Sequence, residues 1–195
     1  MSKAKIDKIR KEIINDPMNK SYLKDGFEPL FVASPKAKIV IVGQAPGIRA
    51  QKAGQVWMDA SGDRLRSWLG VDKEAFYDPD KFAHLPMDFY YPGKASSGDK
   101  LPRKNFADHW HPLLLEQMPK VEMIILAGVT AQKYYLGKSM KKNLTETVKN
   151  YEEYLPKYFP IVHPSPLNYA WHSKNPWFEE KVVPDLQKRV KKILK

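Results

Sequence analysis

The stretch Lys38-Ile39-Val40-Ile41-Val42-Gly43-Gln44-Ala45-Pro46-Gly47 decides the fold of this chain. Its apolar, β-branched run is typical of a strand that is buried on both faces of a parallel sheet. The run leads directly into a turn, in which the glycines allow a ligand to approach the backbone and Pro46 stiffens the chain. Ligands of open α/β sheets bind at the carboxyl ends of strands, so the turn is a candidate binding element. An ordinary strand-to-loop turn is the alternative.

A second strand, predicted over residues 158–162, ends in the same way at His163-Pro164-Ser165-Pro166-Leu167-Asn168. Two more strands are predicted, within residues 82–91 and at residues 121–127. Helices are predicted at residues 3–15, 63–69, 106–117, 131–136 and from 175 onwards, and residues 48–56 are expected to form a mobile loop. Strands that alternate with helices predict an α/β fold, a three-layer α/β/α domain with a central, mostly parallel four-stranded sheet. The two turns would then flank one cleft.

Composition narrows the possible functions. The length of 195 residues favours one domain spanning residues 1–195. The absence of cysteine excludes disulfides, thiolate zinc sites and cysteine-ligated iron–sulfur clusters, and the five histidines show no metal-ligand pattern. No apolar run approaches the roughly 20 residues that span a membrane, and no signal peptide is evident, so we expect a cytoplasmic protein. The net charge of +11 favours a polyanionic partner such as nucleic acid.

Two further features could contact nucleic acid. Trp57 precedes a predicted helix and follows a glycine-containing loop, so it is either a core residue or a stacking platform. Residues 94–104 form a polar loop with four basic side chains against one aspartate, which suits a phosphate backbone. A solvated surface loop is the alternative for this segment. Its basic residues are Lys94, Lys100, Arg103 and Lys104.

The ordered set of motifs resembles the uracil-DNA glycosylase superfamily. The resemblance rests on a strand followed by Gly-x-x-Pro at residues 43–46 and on a strand followed by His-Pro-Ser-Pro-Leu at residues 163–167. Residues 54–62 and 124–131 are similar to the iron–sulfur branch, which also carries alanine at the position of Ala45 where other branches carry aspartate or asparagine. This chain lacks the cysteines that hold the cluster in that branch. The resemblance covers about residues 37–190.

The resemblance implies a monofunctional DNA glycosylase that flips out and excises uracil or a related deaminated base, and so initiates base-excision repair. We expect it to act on DNA as a monomer, without metal or cofactor and away from membranes. A binder of modified or single-stranded nucleic acid that does not cut is the alternative. A nucleotide-handling enzyme that uses the turn as a phosphate cradle is a weaker alternative, because the chain lacks the P-loop lysine pattern.

The resemblance also assigns roles to individual residues. His163 would donate a hydrogen bond to the leaving base, whose negative charge develops as the bond breaks; a structural histidine at a strand end is the alternative. Trp57 would stack on the base, and Asp59 is the candidate for activating water. Asp88 is the nearest candidate for reading the base edge. The base would be held by Gln44 and by the backbone of Gly43, Ala45, Pro46 and Gly47.

The remaining assignments concern the DNA strand. Leu167 stands where one branch has a leucine that fills the gap left by the flipped base; a core leucine is the alternative. Ser165 and Asn168 would contact the flanking phosphates, as small polar groups do. The 94–104 loop would extend that contact through Lys94, Lys100, Arg103 and Lys104.

Overall fold

The centre of the fold is a four-stranded, all-parallel sheet with helices on both faces. The computed structural model describes residues 2–195. The strands follow the order β2-β1-β3-β4, with β1 and β3 in the middle. This confirms the predicted three-layer α/β/α architecture. The strands are β1 (Ile39–Val42), β2 (Phe82–His84), β3 (Met123–Ala127) and β4 (Tyr158–Ile161).

Helices cover the sheet and pack it into two apolar layers. Strand β1 sends Val40 and Val42 into one hydrophobic cluster and Ile39 and Ile41 into the other, which explains its uninterrupted apolar sequence. None of the helices in the described residues is long and apolar enough to cross a lipid bilayer. The helices are α1 (Ser2–Asn15), α2 (Lys20–Lys24), α3 (Ile48–Ala53), α4 (Ala60–Leu69), α5 (Lys73–Tyr77), α6 (Phe106–Glu116), α7 (Val129–Leu136), α8 (Leu144–Lys149), α9 (Tyr169–Lys174) and α10 (Val183–Leu194).

Two local predictions need correction, and a third is confirmed over a short stretch. The segment predicted as a mobile loop contains helix α3, which ends at Gly54 in a left-handed conformation with φ of 64°. The second strand lies within residues 82–91, as predicted, and occupies only Phe82–His84. Helix α7 begins at Val129, directly after Gly128, and not at residue 131 as predicted. These differences all lie at the carboxyl edge of the sheet, where contacts with residues distant in the chain determine the conformation of the loops.

Two histidines lie inside the core and support elements near that edge. His84 is fully buried, and its Nε2 donates to the carbonyl of Phe76 at 3.0 Å. His111 is also buried; its Nε2 donates to the carbonyl of Pro86 at 3.0 Å, and its Nδ1 accepts from the Tyr135 hydroxyl at 2.7 Å. Burial lowers the pKa of each ring to about 4. Both histidines are therefore neutral in the folded protein at neutral pH.

These histidines predict a loss of stability in mild acid. Below the ordinary pKa of about 6.5 both histidines become protonated in the unfolded chain but stay neutral in the folded core. The free energy of unfolding therefore falls as pH drops from 6.5 towards 4. The loss should reach roughly 3 kcal/mol for each ring by pH 4. Urea unfolding at pH 7 and pH 5 measures it. The His84→Leu variant should show a weaker pH dependence whatever its own stability, and an undiminished dependence would contradict this assignment.

Candidate active site

A cavity of about 360 Å³ opens at the carboxyl edge of the sheet. It lies between the turn after β1 and the loop after β4, as the sequence predicted for the two turns. Part of the 94–104 loop and the segment before α4 close its sides. The structure brings most of the predicted site residues to this cavity. Those that line it are Gly43, Gln44, Ala45, Pro46, Gly47, Trp57, Asp59, Lys100, His163, Ser165 and Leu167.

The turn after β1 is held from one side by the chain that follows β2. The N–H groups of Met87 and Asp88 donate to the carbonyls of Gly43 and Gln44, at 2.9 and 3.2 Å. Within residues 2–195, the N–H groups of Ala45 and Gly47 donate to no backbone carbonyl. The turn is thus fixed through its carbonyl groups, which leaves backbone donors for a ligand in the cavity.

Trp57 forms one wall of the cavity in an unusual backbone conformation. Its φ of 55° lies in the left-handed region, which bulky residues rarely adopt and which often marks functional sites. The Tyr77 hydroxyl donates to the Trp57 carbonyl at 3.3 Å, and that carbonyl lies so close to Gly62 that a side chain there would clash. The indole is only partly buried and lies over Gly43. It therefore packs against the core and lines the cavity at the same time.

His163 presents a single hydrogen-bond donor. The backbone N–H of Ser165 donates to its Nδ1 at 3.2 Å, so Nδ1 is an acceptor and the proton of the neutral ring resides on Nε2. Burial lowers the pKa of the ring, and the Asp59 carboxylate opposes this shift. Gly128 backs the ring closely, since a Cβ there would lie 3.3 Å from the His163 Cβ. His163 is therefore neutral at physiological pH, with Nε2–H as its donor.

Asp59 and Gln44 lie near this histidine. The Asp59 Oδ1 accepts from the N–H of Gly62 at 3.0 Å and so caps helix α4, which fixes the position of the carboxylate at the cavity. The Thr130 hydroxyl lies 3.5 Å from the Gln44 Oε1, where it can orient the amide. A carboxylate, an amide and a neutral imidazole thus share one cavity beside an indole.

The structure places Asp88 and Arg103 outside the cavity, which corrects both assignments. Asp88 is 0% exposed, and its two carboxylate oxygens accept from the Arg103 guanidinium at 2.7 and 2.8 Å. Arg103 also donates to the Asn19 Oδ1 at 2.7 Å, and its guanidinium lies over the rings of Tyr22 and Phe106. With its acceptors occupied, Asp88 cannot read a base. Arg103 anchors the 94–104 loop instead of reaching a phosphate.

Two other predicted contacts lie at the margins of the cavity. Lys104 is exposed and does not line it. Asn168 lines an adjoining cavity of about 250 Å³, which shares Gln44 and His163 with the first. The Asn168 Nδ2 donates to the His163 carbonyl at 2.7 Å. This hydrogen bond holds the loop that carries His163 in place.

Leu167 projects into solvent at the mouth of the cavity. Its side chain is 85% exposed, so the alternative of a core leucine is wrong. The Ser165 Oγ accepts from the Leu167 N–H at 3.2 Å, which fixes the turn that carries it. An exposed leucine on a constrained turn is placed to enter a partner surface.

Sequence reasoning missed three residues that shape the site. Ser61 and Pro86 line the cavity, and the carbonyl of Pro86 accepts from the buried His111 Nε2 at 3.0 Å. Arg64, on α4, donates from Nη1 to the Ser165 carbonyl at 3.2 Å. The cap at Asp59 was a usable signal for the start of α4 and hence for Ser61. The other two depend on contacts with residues that are distant in the chain.

The contact between Gly43 and Trp57 can be tested by adding one methyl group. A Cβ at position 43 would lie 2.8 Å from the Trp57 Cζ2, so Gly43→Ala must displace the indole. We expect a lower melting temperature and a changed near-ultraviolet circular dichroism spectrum. Gly47→Ala is the matched control, because a Cβ there meets nothing within 4 Å. Equal behaviour of the two variants would contradict this arrangement of the wall.

The chain is similar to a solved structure and to a protein family. A structural match is the solution NMR structure of a candidate uracil DNA glycosylase from Methanosarcina acetivorans, with 13% identity and a TM-score of 0.49 over 85% of this chain and 96% of that chain. Residues 31–187 match the family model of the uracil DNA glycosylase superfamily, which confirms the resemblance predicted from the motifs. The chain belongs to the uracil DNA glycosylase superfamily.

Proposed function

We propose that this protein is a DNA glycosylase that excises uracil or a related deaminated base by hydrolysing the N-glycosidic bond. The observation that carries the proposal is the state of His163, a neutral imidazole with its proton on Nε2 at the edge of the cavity. Membership of the superfamily supports the general class of activity and a DNA substrate. We further propose that the protein acts as a monomer.

The proposed reaction separates charge across the glycosidic bond. As the bond breaks, its electron pair goes to the base and C1′ of the sugar becomes cationic, as in O-glycoside hydrolysis. A positioned donor stabilises an anion that develops in a cavity shielded from water. The Nε2–H of His163 supplies that donor, and the free N–H groups of Ala45 and Gly47 add two more. A neutral donor suits the role, because it loses no proton to the base.

Asp59 is proposed to act on the sugar side. Its carboxylate lines the same cavity, and one of its oxygens is engaged in capping α4. The second oxygen can stabilise the cationic sugar and accept a proton from the attacking water, whose oxygen forms the new bond to C1′. The base anion takes up a proton from solvent as it leaves, and Asp59 releases to solvent the proton that it accepted, so the products are the free base and an abasic site. Trp57 would hold the face of the base during this step.

The DNA strand would lie across the mouth of the cavity. Lys100 lines the cavity, while Lys94 and Lys104 are exposed on the same loop, so these three lysines are the proposed phosphate contacts. Arg103 holds the loop in place through Asp88. On the opposite side, Arg64 supports the turn that carries Ser165 and Leu167. Lys100 and the exposed Leu167 thus both line the cavity, and Lys94 and Lys104 lie on the loop that carries Lys100.

Replacing His163 tests the catalytic proposal. We expect His163→Ala to lower the single-turnover rate of uracil excision by roughly two to three orders of magnitude, as when one donor to a developing anion is removed. Alkali cleavage of a uracil-containing oligonucleotide measures the abasic product. His109→Ala is the matched control, because His109 is exposed on α6 and lies outside the cavity.

The outcome separates catalysis from binding alone. An unchanged rate in His163→Ala would overturn the mechanism. A wild-type protein that binds DNA with the base present but releases no uracil, hypoxanthine or xanthine would overturn the glycosylase proposal. That result would favour a protein of this fold that binds modified or single-stranded nucleic acid without cutting it.

Leu167 provides a separate test of base flipping. A leucine that fills the gap in the base stack matters more when the base must leave a duplex than when the strand is already single. We therefore expect Leu167→Ala to slow excision from duplex DNA more than excision from single strands. Its melting temperature should stay unchanged, because the side chain is 85% exposed. Equal slowing of both substrates would contradict this role.

A further inference from the structure

Tyr169 is a second large apolar side chain in solvent near the cavity. It is 72% exposed and follows Leu167 by two residues at the start of helix α9. Among the described residues only Leu167 and Leu101 are comparable large apolar side chains that reach this degree of exposure. The family motif ends before Tyr169, so the motif gives this residue no role. Its position places it to contact the same DNA strand as Leu167.

Helix α9 is firmly attached through the side opposite Tyr169. The Trp171 Nε1 donates to the Thr145 Oγ1 at 2.9 Å, and the Trp171 ring packs against Phe178 with centroids 5.6 Å apart. His172 packs against Trp68 at 5.5 Å. These contacts place residues 171 and 172 on the inner face of the helix. The Tyr169 ring is therefore carried on a backbone that is already anchored.

The outer face of α9 combines an aromatic ring with a cation. At 100° per residue, positions 169, 170, 173 and 174 share one side of the helix, and all four side chains are exposed. Ala170 keeps the approach to the tyrosine ring open because its side chain is small. Lys174 lies four residues after Ala170 on that side. Lys174 lies about 7.5 Å further along the helix axis than Tyr169. An aromatic ring and a cation on one exposed helix face match a nucleotide strand, which offers flat bases and phosphates.

We propose that Tyr169 stacks on the base next to the flipped nucleotide and that Lys174 contacts the phosphate of that strand. The proposal rests on the DNA substrate and adds a surface for single strands. In a duplex, the neighbouring base is already stacked on its own strand, so the tyrosine adds little. In a single strand, the neighbouring base is free, and the ring supplies the missing stack. Tyr169 therefore favours the binding of single strands, whereas Leu167 favours excision from duplex DNA.

Binding to an uncleavable probe tests this inference without requiring excision. The probe is an oligonucleotide with one tetrahydrofuran abasic-site analogue, used as a single strand and as a duplex. We expect Tyr169→Ala to weaken binding to the single strand by roughly 5- to 150-fold, the range for one lost base–aromatic stack, and to weaken duplex binding much less. Tyr169→Phe should bind both probes like the wild type, because stacking needs the ring and not the hydroxyl.

Leu113→Ala is the matched control, an exposed apolar side chain on α6 away from this helix. It should leave both affinities unchanged. Equal weakening of both probes by Tyr169→Ala, or no weakening of either, would overturn the inference. Weak binding by Tyr169→Phe would also overturn it, because the hydroxyl would then be the contact. A wild-type protein that binds the single strand through Tyr169 but excises no base would refute the glycosylase proposal and leave this inference intact.

Discussion

The close approach of the Trp57 indole to Gly43 is the contact on which the site depends. Gly43 ends the central strand, and only a residue without a side chain leaves room for the ring. The ring is carried on a left-handed backbone at Trp57, and the single proton of the Tyr77 hydroxyl lies within reach of the carbonyls of Val56 and Trp57, at 3.1 and 3.3 Å. The strand, the turn and the aromatic wall are therefore coupled. One wall of the cavity is an indole because the residue beneath it is a glycine.

The second constraint is the buried ion pair between Asp88 and Arg103. A charge pair in the interior is favourable only when geometry is good and the remaining hydrogen-bonding groups are satisfied. Here the guanidinium bonds both carboxylate oxygens, reaches Asn19 and lies over two aromatic rings. The pair joins the N-terminal helices, the chain that supports the turn, and the loop that carries Lys100. The pair connects three segments that are distant in the chain. A substitution in the N-terminal helices can therefore alter the position of Lys100 at the cavity.

Burial also determines the protonation state of His163. Burial makes a charged imidazolium unfavourable, and a backbone N–H at Nδ1 selects the tautomer with its proton on Nε2. The histidine is thus prepared as a neutral donor before any substrate arrives. Asp59 is prepared differently, because capping α4 occupies one oxygen and holds the carboxylate at the cavity. In the proposed reaction His163 stabilises the negative charge on the base, and Asp59 stabilises the positive charge on the sugar.

The sequence by itself determined the elements whose signals are local. The apolar run before Gly43, the strand that delivers His163 and the paired turns were predictable, because a buried parallel strand needs an uninterrupted apolar sequence and its ligands bind at its carboxyl end. Only the tertiary structure decided that Asp88 pairs with Arg103 and that Tyr169 is exposed. Asp88 and Arg103 are 15 residues apart and pair in the core, so their polarity in the sequence wrongly suggested a site. The exposure of Tyr169 depends on which face of α9 packs against Trp68, Phe178 and Thr145, and the helix sequence alone does not say which face that is.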